Sequence, residues 1–351
     1  MNAPHPPRLD HPFAAPPSPG EALAVAPGVL WIRMPLPFAL DHINLWLLEE
    51  SDGWTVVDCG YGDAATRALW ETHFTRTLGE LPVRRIIATH YHPDHLGNAR
   101  WLMERFGCPV VMTQAEFLTA HAVLDQRTAH SHTDICALFA AHGMAAEFVA
   151  ALAARGNAYR RGVPDAPLSF HGILDGDDVV AGGSPWRVIC GHGHSPDHAS
   201  LHSAARGLLV SGDMLLPRIS TNVSTSPSDP DGDPLARFLD SIALTAMLPP
   251  ETLVLPSHGL PFRGIALRVA QLQTHHADRL AELQDVVDSA AAPVSAADLV
   301  PILFRRELDL QQRFFAMGEA IAHLNHLWHS ARIRRSVAAD GAIRFTTRNS
   351  R

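Results

Sequence analysis

The chain of 351 residues contains no lysine; all 28 basic side chains are arginine. That absence excludes Schiff-base chemistry and the lysine of a phosphate-binding P-loop. Cysteine is scarce. Cys59, Cys108, Cys136 and Cys190 lie far apart and form no CxxC pair, which argues against a disulfide framework or a thiolate zinc site and for reduced, structural thiols. Long apolar runs are missing too. The N-terminal "MNAPHPPRLDHPFAAPPSPG" has no apolar h-region, and "ALFAAHGMAAEFVAALAARG" is broken by His142, Gly143 and Glu147. Neither a signal peptide nor a membrane span is expected, hence no membrane partner and a cytoplasmic location. A formal charge of −8 gives no long-range pull on a nucleic-acid backbone, so nucleic acid is not the expected partner, although a local basic groove is compatible with that charge.

What the chain does have is a core-forming composition, 46% hydrophobic, and 22 histidines. Residues 1–22 are Pro-rich and read as a disordered tail. Short strand patterns follow in "GVLWIRMPL", "HINLWLLEE" and "GWTVVDCG", then an amphipathic helix in "DAATRALWETHFTRTLG" and a strand in "VRRIIATH". Alternating helices and strands indicate an α/β class with helix-covered sheets. Residues 114–165 turn Ala-rich and helical and read as an insertion. Strands resume in "WRVICGHGH", "ASLHSAARGLLVSGD" and "TLVLPSHG", so 23–265 form one large domain. From 266 to 351 three helical patterns, the second kinked or ended near Pro301, precede a hairpin with its turn at Asp340 and Gly341, a winged-helix-like domain. With 11 arginines against 9 acids it is hardly basic and reads as a packing or homodimerisation module rather than a nucleic-acid binder.

The densest chemistry lies in "ATHYHPDHLGN", where His90, His92, Asp94 and His95 crowd one turn after a strand. His90 and His92 alternate by two and share a side while the chain stays extended; Asp94 and His95 swing round as it turns into a helix. Imidazoles plus a carboxylate, with no thiolate, suit zinc, iron or manganese. Three later strand ends offer further ligands: "GHGHSPDH", Asp213 in "LLVSGDMLL" and His258 in "TLVLPSHG".

Together these residues resemble the metallo-β-lactamase fold hydrolases, whose pattern is HxHxDH, a GHT or GHS histidine, an SGD aspartate and a GHG-type histidine. The resemblance runs from about residue 28 to 265. It implies a four-layer αββα sandwich with two divalent metal ions, zinc first and iron or manganese as alternatives. His90, His92 and His194 would hold one ion, Asp94, His95 and His258 the other, and Asp213 would bridge. The family's DTG turn is here Asp58, Cys59, Gly60; Asp58 keeps a supporting role and Cys59 is a departure. "GHGHSPDH" offers two registers, of which His194 is chosen because Ser195 and Pro196 follow it as in the family; His192 is the alternative. Members with a C-terminal winged-helix-like domain include endoribonuclease-like proteins and thioesterases that release polyketides, and this chain resembles that subgroup.

The chemistry so implied is attack by a metal-bridging hydroxide on a small-molecule acyl substrate, an acyl thioester or related activated ester or lactone, with a phosphodiesterase or endoribonuclease as the alternative. Asp94 and Asp213 would be catalytic as well as ligands. His198 is either a proton donor or a buttress of its loop. The insertion should cover the metal edge; its His121, His130, His132 and His142 read as packing or surface residues. Leu118, Phe139, Met144 and Phe148 read as core between its helices. Tyr159, Arg160 and Arg161 at its end are candidates for gripping an anionic substrate tail.

Overall fold

The structure, a computed structural model, describes residues 8–79 and 81–348. Two sheets lie at its centre. The first has β1 (Leu23–Ala26), β2 (Val29–Pro35), β3 (His42–Glu50), β4 (Gly53–Val57), β5 (Val83–Ile87), β6 (Val110–Met112) and β7 (His171–Gly172) in that spatial order, antiparallel up to β4 and parallel beyond. The second contains β8 (Asp178–Ala181), β9 (Ser184–Gly191), β10 (His198–Ser203), β11 (Leu208–Gly212) and β12 (Leu253–Pro256), with only β11 and β12 parallel.

Alternation of side chains along each strand makes the layers. Trp31, Trp46, Val57, Ile87 and Val111 point from the first sheet into a core shared with Trp186, Leu201, Val210 and Leu255 of the second. Their neighbours Ile32, Leu45, Val56, Ile86 and Val110 point the other way, onto α1 (Ala64–Arg76) and, beyond the short α2 (Pro93–Leu96), α3 (Ala99–Phe106), through Trp70, Phe74 and Leu102. Leu209 and Val254 face away from the shared core towards α7 (Pro234–Thr245) and α8 (Ile265–Ser289). The order is helix, sheet, sheet, helix. Trp31 and Trp46 are register partners on β2 and β3 and stack at 5.9 Å, a cross-strand pair worth about 0.2–1 kcal/mol relative to two alanines.

Two expectations change. The tail reading of residues 1–22 lies outside the described residues over 1–7, but from Arg8 onward the segment is anchored. Asp10 bridges Arg263, His11 Nδ1 meets Pro261 O at 3.1 Å, and Phe13 packs edge-on to Trp31. The apolar and polar groups between the prolines secure it. The insertion contains α4 (Gln114–Leu124), α5 (His132–Ala141), α6 (Ala146–Arg155) and a 3-10 turn (Tyr159–Arg161). Phe139 and Met144 are buried, but in one core with the C-terminal helices, and Phe148 packs at its border under the Arg313 guanidinium. Leu118 is 55% exposed and belongs to no core.

The C-terminal segment is α8, α9 (Ala296–Leu303, ending two residues after Pro301), α10 (Leu310–His329) and the hairpin β13 (Ile333–Val337) and β14 (Ile343–Thr347). No helix among the described residues is long and apolar enough to cross a membrane.

Candidate metal centre

The C-terminal ends of β5, β9, β11 and β12 meet along one edge of the sandwich. There the chain leaves the hydrogen-bonded ladder, and the residues just past each strand converge: His90 to His95, His194, Asp213 and His258. They form two donor groups. In the first, His90 Nε2, His92 Nδ1 and His194 Nε2 lie 2.9–3.1 Å from one another, with Asp213 Oδ2 3.4 Å from His194 Nε2. In the second, His258 Nε2 is 3.4 Å from both Asp94 Oδ2 and Asp213 Oδ1, and His95 Nε2 is 3.6 Å from Asp213 Oδ1. Asp213 turns one oxygen towards each group.

The far side of each ring decides what the near side offers. His194 Nδ1 donates to Asn222 O, His258 Nδ1 to His42 O and His95 Nδ1 to Asp58 Oδ2, each at 2.8 Å. Each ring, once neutral, keeps its proton on Nδ1 and so presents an Nε2 lone pair inward. His95 Nε2 and Asp213 Oδ1 are buried without a hydrogen-bond partner. Converging lone pairs and orphaned buried acceptors are what a divalent cation satisfies, and five imidazoles with two carboxylates suit first-row divalent ions.

The two groups differ in protonation. Burial, reinforced by neighbouring imidazoles, pushes His90 far down and His92 to about 3. Burial also disfavours charge on His258 and His95, but there the carboxylates prevail: Asp213 and Asp94 raise His258 to about 10, and Asp58, Asp94 and Asp213 hold His95 well above its usual value. His90 and His92 wait deprotonated. His95 and His258 store protons against the neighbouring carboxylates.

Supporting contacts fix this geometry. Asp58, in the left-handed region at φ 62°, accepts from Thr89 N at 2.8 Å and Thr89 Oγ1 at 3.0 Å as well as from His95. The Cys59 thiol is fully buried in the helix-side core while its carbonyl accepts from Trp70 Nε1. Glu116, unforeseen from the sequence, is a buried carboxylate taking hydrogen bonds from Tyr91 N at 2.9 Å and from Ser195 Oγ and Asp197 N at 2.7 Å. Thr113 Oγ1 donates to Asp197 O at 3.0 Å. The "TQAE" stretch carries the S/T-x-x-E spacing of a helix cap, so its only sequence signal points to capping.

Other candidates sort by contact. His194 stands in the cluster, whereas His192 is half-exposed and its Nδ1 meets Pro196 O at 2.7 Å. His198 Nε2 accepts from Asp213 N at 3.1 Å, a contact possible because residue 212 is glycine: a Cβ there would lie 2.2 Å from that nitrogen. His198 thus supports the Asp213 backbone through Nε2, while its Nδ1 is buried without a hydrogen-bond partner and burial holds the ring far below its usual pKa. Tyr159 Oη donates to Tyr91 O at 2.6 Å, bracing the histidine turn from the insertion. Arg160 and Arg161 donate to the carbonyls of Leu124 and Arg155, so these hydrogen bonds spread them over the insertion instead of aiming them at the donor groups. In the insertion, His121 and His132 bond to the Pro167 and Leu152 carbonyls, and His142 is buried. α4 and the 3-10 turn make hydrogen bonds to the ligand loops, whereas α5 and α6 lie with α10, because their apolar faces join the C-terminal core.

Comparison with known proteins agrees with this geometry. The family model described as metallo-beta-lactamase superfamily matches residues 39–258, and one described as metallo-beta-lactamase-like, C-terminal domain, matches 283–348. The crystal structure of a beta-lactamase domain protein from Burkholderia ambifaria superposes with a TM-score of 0.89 at 47% identity, covering 97% of this chain and 98% of that one. A Bacillus subtilis protein named "Probable metallo-hydrolase YqjP" is 24% identical over 314 residues, 85% of this chain and 92% of its own. A hydroxyacylglutathione hydrolase of Idiomarina loihiensis is 22% identical over 220 residues, 63% of this chain and 62% of its own.

Proposed function

The chain belongs to the metallo-β-lactamase superfamily, and from that premise we propose that this metallo-hydrolase cleaves an acyl thioester, or a related activated ester or lactone. His90, His92, His194 and one oxygen of Asp213 would hold one divalent ion; Asp94, His95, His258 and the other oxygen of Asp213 would hold a second. Bound ions of the zinc, iron or manganese type supply Lewis acidity and lower the pKa of water to about 7. The chain's own work is positional. Asn222, His42 and Asp58 keep the ring lone pairs aimed inward, His198 fixes the Asp213 backbone, and Glu116 ties the two ligand loops together.

The observation that carries the substrate class is the state of His198. A departing amine or alkoxide needs a proton as it leaves; a thiolate needs little help. Of the residues at this edge, His198 is the one the sequence offers as an acid, and its Nε2 is already occupied as an acceptor. A relative named hydroxyacylglutathione hydrolase points to the same chemistry, since an acylated glutathione is a thioester. The acidic net charge of −8 weighs against a polyanionic substrate.

The test is a hydrolysis screen on metal-loaded protein with acyl thioesters, lactones, β-lactams and single-stranded RNA side by side. Thioesters should turn over fastest, with mild salt dependence. RNA cleavage falling steeply with salt, and no thioester turnover, would overturn the reading in favour of an endoribonuclease.

A further inference from the structure

Between β11 and α7 the segment Thr221–Thr225 touches the first donor group on one side and the C-terminal domain on the other. Towards the metal edge, Thr221 Oγ1 donates to Asp213 O at 2.5 Å, and Asn222 O accepts from His194 Nδ1 at 2.8 Å. Away from it, Thr225 N donates to Gly318 O at 3.3 Å and Asn222 Nδ2 reaches Glu319 Oε2 at 3.5 Å. Ser224 Oγ closes the turn on Asn222 Oδ1 at 2.8 Å, and Val223 is fully buried in the core that includes α10. The helix meets this segment without a side chain between them: a Cβ on Gly318 would lie 2.6 Å from Ser224 Oγ and 2.8 Å from Ser224 Cβ.

The second donor group has different supports. His258 is referred to His42 at the start of β3, and His95 to Asp58 just past β4, both in the first sheet. Of the two groups, the first is the one tied through this segment to α10.

We propose that α10 is a positioning element for His194: by holding Thr221–Thr225 in place it sets the aim of that ring and governs retention of the ion of the first donor group more than that of the second. This inference rests on the two-ion reading above. Loss of an outer partner of a metal-bound histidine typically weakens metal affinity about 10–100-fold, and a shifted Asn222 carbonyl is such a loss.

The experiment compares wild-type protein with Gly318→Ala, Ser224→Gly and the double variant, loading each with Zn2+ against a chromogenic chelator and with Co2+ for its visible absorption. Gly318→Ala should weaken one ion about 10–100-fold, the other clearly less, and change mainly one part of the Co2+ spectrum. In the Ser224→Gly background, where the obstructing side chain is gone, Gly318→Ala should add little further loss. Alanine favours the helix, so the metal-free variant should fold; should it not, Glu319→Ala provides a second route, with a smaller loss falling mainly on the same ion. Equal weakening of both ions, or no weakening of either, overturns the inference while the two-ion reading stands. Wild-type protein that takes up fewer than two ions removes the premise itself, and the inference with it.

Discussion

Glu116 accepts a hydrogen bond from the Ser195 hydroxyl at 2.7 Å although 79 residues separate them in the chain. The same carboxylate receives the amides of Asp197 and Tyr91, so one buried group on α4 ties the turn that carries His90 to His95 to the loop that carries His194. Both loops leave the sheet edge without ladder partners, and Glu116 supplies the missing acceptor.

Glu116→Ala would strand three donors, the Ser195 hydroxyl buried and the Tyr91 and Asp197 amides partly so; a buried unsatisfied donor costs about 1–3 kcal/mol. Glu116→Gln can keep the Ser195 and Asp197 contacts through its carbonyl oxygen but sets an amide donor against Tyr91 N, and should be less harmful than Glu116→Ala. Both variants should unfold at clearly lower urea and hold less metal at a fixed chelator concentration. Unchanged stability together with full metal content would show that the two loops hold themselves.

His194→Ala and His192→Ala should behave oppositely despite lying two residues apart. The first removes a nitrogen about 3 Å from two neighbouring donor nitrogens and should lower both metal content and turnover severely. The second removes a half-exposed ring bonded to its own loop, and metal should stay. Elemental analysis with initial rates settles the ranking, and the reverse order would move the ligand assignment two residues back.

The pH dependence of the metal-free protein follows from His258. Its folded pKa is raised from 6.5 to about 10, because the carboxylates outweigh burial, so the native state binds the extra proton between those values. That contribution to stability is fully present below about 6.5 and is lost as pH rises towards 10. Chelator-treated protein should therefore show a falling urea midpoint across this window. Metal must displace the proton, so zinc affinity should rise with pH and uptake at neutral pH should release protons, measurable by calorimetry in buffers of different ionisation enthalpy. A midpoint that climbs with pH, or uptake without proton release, would contradict the stored-proton account.

The donor set was legible because each donor is a side chain at a strand end, and the spacing in "HYHPDH" and "SGD" survives in the sequence. The sandwich was legible from strand patterns that alternate or run apolar, as in "HINLWLLEE". What holds the ligands was not. Asn222 and His42 act through main-chain carbonyls, which every residue type possesses, so no letter marks them. Glu116 sits where a helix-capping glutamate would, and the sequence cannot say that its partners lie across the molecule. The partners of α5 and α6 were hidden for a related reason: an Ala-rich helix shows which face is apolar but not what covers it, and here the C-terminal helices do. Leu118 is the converse case, an apolar residue left in solvent.

The donor residues run from His90 to His258 and issue from both sheets. A growing chain thus carries most of the histidines long before it owns a place to put them, and the second group is incomplete until the parallel pairing of β12 with β11 delivers His258. Non-local pairing of that kind forms slowly. Occupancy of the second group must then follow the pairing of β12 with β11, so a molecule that holds both ions has completed both sheets.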